Sequence, residues 1–326
     1  MVERLSRCNL CLGARFSVYA RVRGTMLKRV FTLLRCDGCG LVFVSPRLTR
    51  AEVSALYSPS YFQGDGFDAA VDYVSLLDNY DAAQRESDYV LERIRVFSSR
   101  KDLRILDVGC ATGSLLRVLE RKKYASLLGI ELSPYAAGLA RKNCTSPVIT
   151  GDFLKHDFGD RQFDVIVSTE VIEHVTDPMR FFRRVKRLLA PGGVFICSTG
   201  NVRSLAARLL GKRWHYIAPE GHLFYFSPTT LSRYYAAVGL ESVEYSALDG
   251  KHRKKMLRIE DNMLLSILDR SMHNNDRRVE FVLKMLRFLP RRFIGRVLTI
   301  AMGKYRLPMA KNGIGIVGAG KVSRKK

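Results

Sequence analysis

The chain has 326 residues, 47% of them hydrophobic and 26% charged, enough for a full catalytic core with material left for appendages. Its formal net charge of +23 sits at the two ends: residues 1–50 hold 10 Lys/Arg against 2 Asp/Glu, residues 251–326 hold 20 against 5, and the stretch between is neutral. There is no signal-peptide order and no run of about 18 uncharged apolar residues, so a cytoplasmic protein is expected, and its basic flanks predict an anionic partner, either nucleic acid or a membrane surface.

Seven cysteines in such a compartment read as reduced thiols or metal ligands rather than disulfides. Four fall as Cys8-x2-Cys11 and Cys36-x2-Cys39, each pair with a glycine within two positions to ease the tight turn. Two such knuckles make a four-sulfur tetrahedral site, and four thiolates leave no open position, so a zinc ion here would be structural. The 24 intervening residues exceed the usual ribbon range of about 15–20 and carry strand-like patterning in FSVYARV and KRVFTLL, which predicts a ribbon with a long hairpin over residues 1–50. Cys110, Cys144 and Cys197 lack the spacing and read as small buried hydrophobes.

Residues 51–100 are expected to be a helical linker that covers a cofactor pocket. From Leu103 the run RILDVGCATGSLLRVLE reads as strand, glycine turn and helix, which aims backbone N–H groups at a helix N-terminus. A second strand, SLLGIEL, ends in Glu131, 24 residues after Asp107, where a carboxylate can take both hydroxyls of a ribose. VITGDF, FDVIVSTE and LAPGGVFICST supply three more strands, so residues 101–250 predict an α/β domain with a doubly wound parallel sheet, its ligands at the carboxyl ends of the strands.

The set DVGCATG, GIELS, GDF, FDVIVSTEVIEHV and LAPGG resembles, in order and spacing, the motifs of class I S-adenosylmethionine-dependent methyltransferases over roughly residues 85–245. The resemblance implies a Rossmann-like sheet that binds S-adenosylmethionine. It implies that Asp107, Gly109, Cys110 and Gly113 form the loop under the methionine and ribose, that Glu131 and Leu132 hold the ribose end, and that Asp152 and Phe153 flank the adenine. Ala111 stands where the family more often has a glycine, and its small size predicts no loss of binding. A nicotinamide site is disfavoured because GCATGS does not meet GxGxxG.

TEVIEHV then places Glu170, Glu173 and His174 after the fourth strand, at the cofactor's methyl end; on a helix the three would share a face. His222, in EGHLFYFSP, lies beyond the fifth strand, where the fold can return it to the same pocket. The pattern ExxEH with a later histidine resembles the ubiquinone-biosynthesis O-methyltransferases and the small-RNA 3′-end 2′-O-methyltransferases, and there it implies a divalent ion such as magnesium or manganese. Metal ligation, an imidazole acting as base or orienting group, and structural capping all remain open readings. Trp214, His215 and Tyr216 are candidates for acceptor contacts, although a lone tryptophan more often packs a lid onto a core.

Residues 251–326 read as a basic extension. Within it, residues 277–302 interleave apolar side chains with Lys284, Arg287, Arg291, Arg292 and Arg296, and Pro290 should break them into two amphipathic helices. This profile suits either an anionic membrane surface or packing on the enzyme. The later GIGIVG has no room for a phosphate-binding helix after it. The expected function is methylation of a hydroxyl on a sugar, a lipid-linked glycan or another small molecule at the inner membrane face. The rivals are an RNA methyltransferase and a noncatalytic adaptor that binds the cofactor.

Overall fold

A computed structural model describes residues 3–66, 73, 74, 77, 79–214, 216–247 and 315–322. The helix pair expected over 277–302 and the candidate contact His215 lie outside the described residues.

At the amino-terminal end, β1 (Phe16–Arg23), β2 (Val30–Cys36) and β3 (Val42–Val44) form an antiparallel meander. Buried Phe31 and Leu33 alternate with exposed or half-buried neighbours along β2, the period-2 pattern of a one-faced sheet. A fourth strand comes from far along the chain: β9 (Phe224–Tyr225) pairs with β3, Phe43 opposite Phe224. Cys8, Cys36, Cys39, Leu41 and Phe43 share one apolar cluster with Phe224, Phe226 and Tyr234, so the ribbon has no core of its own. Buried Arg47 adds a fastening, paired with Glu3 at 2.7 Å and donating to the Thr176 carbonyl at 3.0 Å.

The second sheet has seven strands. β4 (Arg104–Val108), β5 (Ser126–Glu131), β6 (Val148–Thr150), β7 (Phe163–Thr169) and β8 (Leu189–Gly200) run parallel in the order β6-β5-β4-β7-β8. β10 (Glu241–Ala247) and β11 (Gly315–Lys321) complete the edge, with β11 inserted antiparallel between β8 and β10. The glycine-rich segment that reads as part of a basic extension is therefore a sheet strand. A Cβ on Gly320 would overlap the ring of Tyr235, so the missing side chain lets a helix lie close against the strand.

The helices are α1 (Arg50–Leu56), α2 (Tyr80–Phe97), α3 (Ser114–Arg121), α4 (Pro134–Asn143), α5 (Pro178–Leu188), α6 (Leu205–Leu210) and α7 (Pro228–Ala237). α4, α5 and α7 each begin with a proline after a capping Ser133, Asp177 or Ser227, whose side chain accepts a backbone N–H of the first turn. This is a Rossmann-like fold, with helices flanking a parallel sheet whose carboxyl ends face one edge. Among the described residues, no helix is long and apolar enough to cross a membrane.

Candidate active site

The cofactor edge begins with Asp107, 2% exposed near the end of β4, whose carboxylate makes no hydrogen bond among the described residues. Burial, helped by the charge of Glu131, pushes its carboxyl up to about 7. A buried acid without a partner at a strand's carboxyl end suits a ligand carrying ammonium or hydroxyl donors. Glu131, at the end of β5, accepts from Ser133 N at 2.8 Å and Ala111 N at 3.0 Å, and burial raises it too. Those bonds hold the carboxylate between the two loops that a ribose would meet.

The turn after β4 visits the left-handed region three times, at Gly109 (φ 73), Ala111 (φ 45) and Gly113 (φ 77). Conformation rather than size is therefore what Ala111 must meet, and alanine meets it under strain. Gly113 is tied to helix packing, since a Cβ there would stand 3.1 Å from Ala140 Cβ. Gly109 makes room on the other side of the turn. A Cβ there would overlap Val171, inside TEVIEHV, so the cofactor turn and the candidate catalytic segment are in contact.

Three expected cofactor contacts have other surroundings. Cys110 is buried with its thiol over Gly129, in the core beneath α3. Phe153 is 7% exposed, its ring 4.9 Å from Phe181 and 6.0 Å from Phe158 in an aromatic cluster. Asp152 accepts from Leu154 N at 2.9 Å and so closes its own turn. Leu132 is 56% exposed beside Glu131, an apolar surface at the cofactor edge.

TEVIEHV is a turn, not a helix. Glu170 follows β7 with φ 52, and helix geometry begins only at Pro178. Glu170 accepts from Ser198 Oγ at 2.9 Å and from Tyr216 Oη at 2.9 Å. Glu173 is 1% exposed, accepts from Thr199 Oγ1 at 2.9 Å, and is also bonded to Tyr216 Oη. Burial first, then the charge of Glu170, holds the Glu173 carboxyl well above the usual carboxylate range, and burial with both carboxylates raises the Tyr216 phenol.

The two imidazoles are set by backbone carbonyls. His174 Nδ1 donates to Gly221 O at 3.1 Å and His222 Nδ1 to Tyr216 O at 2.7 Å; a carbonyl only accepts, so each Nδ1 carries a hydrogen and Nε2 is the nitrogen left for a ligand. The rings lie 4.7 Å apart, and ligand atoms of Glu173, His174 and His222 fall within 4.8 Å of one another. One carboxylate and two histidines oriented through carbonyls form a donor set of the kind that binds divalent ions. Glu170 stands beside this trio, joined through Tyr216. Tyr57 lies edge-on to His174 at 6.1 Å, and Phe62 at 6.0 Å from Tyr135, which brings residues 51–66 over the site.

Tyr216, Ser198, Thr199 and Tyr89 carry roles that spacing does not reveal. Tyr216, by sequence a candidate acceptor contact, bridges two acids, while Tyr89 donates to Ser198 at 3.1 Å from α2. Ser198 and Thr199 signal themselves only by lying near the end of β8, and Tyr89, in the middle of α2, carries no sequence signal. Trp214 is 1% exposed and stacks on Tyr216 at 5.1 Å.

The four ribbon sulfurs also converge, all within 4.8 Å of one another, with Cys8–Cys39 and Cys11–Cys36 at 3.5 Å. A tetrahedral zinc with Zn–S near 2.3 Å requires edges of about 3.8 Å, so the quartet is compatible with zinc. The knuckles have the same internal bonds: Leu12 N to Cys8 O and Cys8 N to Gly13 O, then Gly40 N to Cys36 O and Cys36 N to Leu41 O. The left-handed position is Gly40 in one but Leu12 (φ 61) in the other, one residue before the glycine expected to serve it.

A family model described as a methyltransferase domain matches residues 81–245, half of the chain. The chain belongs to the methyltransferase domain family. Among curated methyltransferases, the ubiquinone biosynthesis O-methyltransferase of Cereibacter sphaeroides (strain ATCC 17025) is 32% identical over 142 residues, 39% of this chain and 57% of that protein. Its counterpart in Azorhizobium caulinodans is 32% identical over 163 residues, 45% of this chain and 62% of that protein. The matched region thus spans about three fifths of these relatives' length. A solved methyltransferase fold, from the complex of a methyltransferase with the Haloferax volcanii Trm112 methyltransferase activator, superposes with a TM-score of 0.53 at 18% identity, covering 78% of this chain and 97% of that one.

Proposed function

We propose that this chain is an S-adenosylmethionine-dependent O-methyltransferase acting on a small-molecule hydroxyl, with a divalent ion held by Glu173, His174 and His222. The observation that carries this reading is the convergence of one carboxylate and two carbonyl-oriented imidazoles beyond β7, in contact through Val171 with the cofactor turn. The names of the relatives, O-methyltransferases of ubiquinone biosynthesis, support a hydroxyl acceptor. Bound cofactor supplies an electrophilic methyl group, and a bound divalent ion lowers the pKa of the acceptor hydroxyl.

The chain's own groups do the rest. Asp107 and Glu131 bind the polar ends of the cofactor, and the segment around Tyr57 and Phe62 shields the pocket from water. With the ion on the two Nε2 atoms neither imidazole can also act as a base, and the acceptor's proton leaves to water; without an ion, Nε2 of His174 or His222 takes it. Tyr216 holds Glu170 and Glu173 in place. The four ribbon cysteines hold zinc and brace the sheet shared with β9. The acceptor we assign is a hydroxyl of a sugar, a lipid-linked glycan or another small molecule, and residues 277–302 would meet an anionic membrane surface.

The test is transfer of labelled methyl from S-adenosylmethionine to a catechol, a hexose and a lipid-linked sugar, with chelator and with added magnesium or manganese. Transfer that needs the ion and is lost in Glu173→Ala, with cofactor binding intact, is expected. Cofactor binding with chelator-insensitive turnover would remove the metal from the reading. Cofactor binding without transfer to any acceptor would leave only the adaptor, and no cofactor binding at all would overturn both readings.

A further inference from the structure

Helix α5 carries Arg180, Arg183, Arg184 and Arg187 at i, i+3, i+4 and i+7, a spacing that gathers them on one face over about 10 Å. Together with Leu154 these four side chains line a cavity of about 310 Å³ that has no acid in its wall. Arg184 and Arg187 also border a second concavity of about 570 Å³, whose wall includes Asp157, Asp160 and Arg161.

Outside α5, arginines meet carboxylates: Arg29 with Glu52, Arg47 with Glu3, Arg100 with Asp102 and Arg104 with Asp164. None of the four α5 arginines makes an ion pair among the described residues. Two are held in place without one. Arg180 donates to Leu154 O at 3.4 Å, and Arg184 donates to His156 O while its guanidinium lies over Phe153 and Phe158 at 5.5 and 5.6 Å. Arg183 and Arg187 are exposed and have no hydrogen-bond partner among the described residues. Burial and the charges of Arg187 and Arg180 push Arg184 down, outweighing Asp157 and Asp152, so the local field is positive.

We infer that the α5 arginine row is a binding site for a phosphate-bearing anion. Guanidinium forks bind phosphate oxygens two at a time, and Arg184, half-buried and bonded to His156 O, pre-orders one fork among three exposed ones. The cavity equals the liquid volume of about ten waters, which accommodates two phosphoryl groups. A diphosphate on a small molecule and adjacent phosphates of a nucleic-acid strand present the same chemistry, and the ligand must bring several negative charges to offset four positive ones. The inference does not depend on the methyl-transfer reading, because neither Arg183 nor Arg187 touches the cofactor edge or the histidine pair.

The experiment is calorimetric titration of the full chain with inorganic pyrophosphate and, separately, with a short single-stranded RNA at several salt concentrations. It is repeated for Arg183→Gln/Arg187→Gln and for a tail variant, Arg291→Gln/Arg292→Gln. Wild type and the tail variant are expected to bind alike, and the α5 variant at least tenfold more weakly, with a shallower salt dependence. Tighter binding of pyrophosphate than of RNA per phosphate identifies a small diphosphate ligand; the reverse identifies a nucleic-acid backbone. Identical titrations of wild type and the α5 variant, or loss confined to the tail variant, overturn the inference.

Discussion

The ring of Tyr216 lies where a Cβ on Gly200 would stand, so the last residue of β8 makes room for the phenol that bridges Glu170 and Glu173. Gly200→Ala should therefore push the ring off both acids, at an overpacking cost of about 1–3 kcal/mol. Tyr216→Phe keeps the ring but removes the hydroxyl, whose single hydrogen serves one acid while its oxygen faces the other, leaving the buried pair without its bridge at about 1–3 kcal/mol. Denaturant unfolding should place both variants below wild type. Wild-type stability in Tyr216→Phe would mean that the bridge is not formed.

Asp107 makes stability depend on pH. Its folded carboxyl ionises near 7, against 3.8 for an ordinary aspartate, so folding takes up a proton between the two. The raised value leaves stability fully present below about 4, and it is lost as pH rises through about 7. Asp107→Asn should thus raise the thermal midpoint of the ligand-free protein at pH 8, with the gain shrinking toward pH 4. Cofactor affinity should fall at least tenfold in the same variant. Midpoint differences that do not change with pH would show that Asp107 is not the titrating group.

Ala111 and Leu12 hold left-handed backbone with a side chain attached. Ala111→Gly and Leu12→Gly should each relieve about 1 kcal/mol of strain, offset in part by the greater freedom of glycine in the unfolded chain. Ala111→Val should do the opposite and weaken cofactor binding, because a β-branched residue tolerates this region worst. Urea midpoints of the three variants check the order Gly, Ala, Val at position 111.

Losing the zinc proposed for the ribbon should disturb more than the ribbon. Cys36→Ser is expected to lower bound zinc from one per chain to none, and to reduce thermal stability by several degrees, because the cysteine cluster shares its apolar core with Phe224, Phe226 and Tyr234. Metal analysis beside calorimetry reads both. A variant without zinc but with an unchanged midpoint would show that the shared core needs no ion.

Strands β4, β5, β7 and β8 are legible because each is a short apolar run bounded by glycine or acid, and the two CxxC pairs because thiolate chelation demands that spacing. β11 is not: Gly315–Lys321 alternates small residues, with no side-chain period to announce burial. Cys110 is buried, as its lack of chelating spacing suggested, while motif position alone did not record the aromatic cluster around Phe153. TEVIEHV has a helix-compatible spacing, but the left-handed φ at Glu170 makes it a turn.

By itself the sequence determined the chemistry available: which acids end strands, which cysteines can chelate, which histidines follow β7 and β8, and where the charge lies. These depend on spacing within a few residues, which local backbone geometry translates directly into position. Only the tertiary structure decided the partners, such as Tyr216 between Glu170 and Glu173 across 46 and 43 residues, His222 against Tyr216 O, β9 beside β3, and β11 between β8 and β10. Contacts of that range form because burying apolar surface brings distant segments together, and no local pattern records which segments will meet.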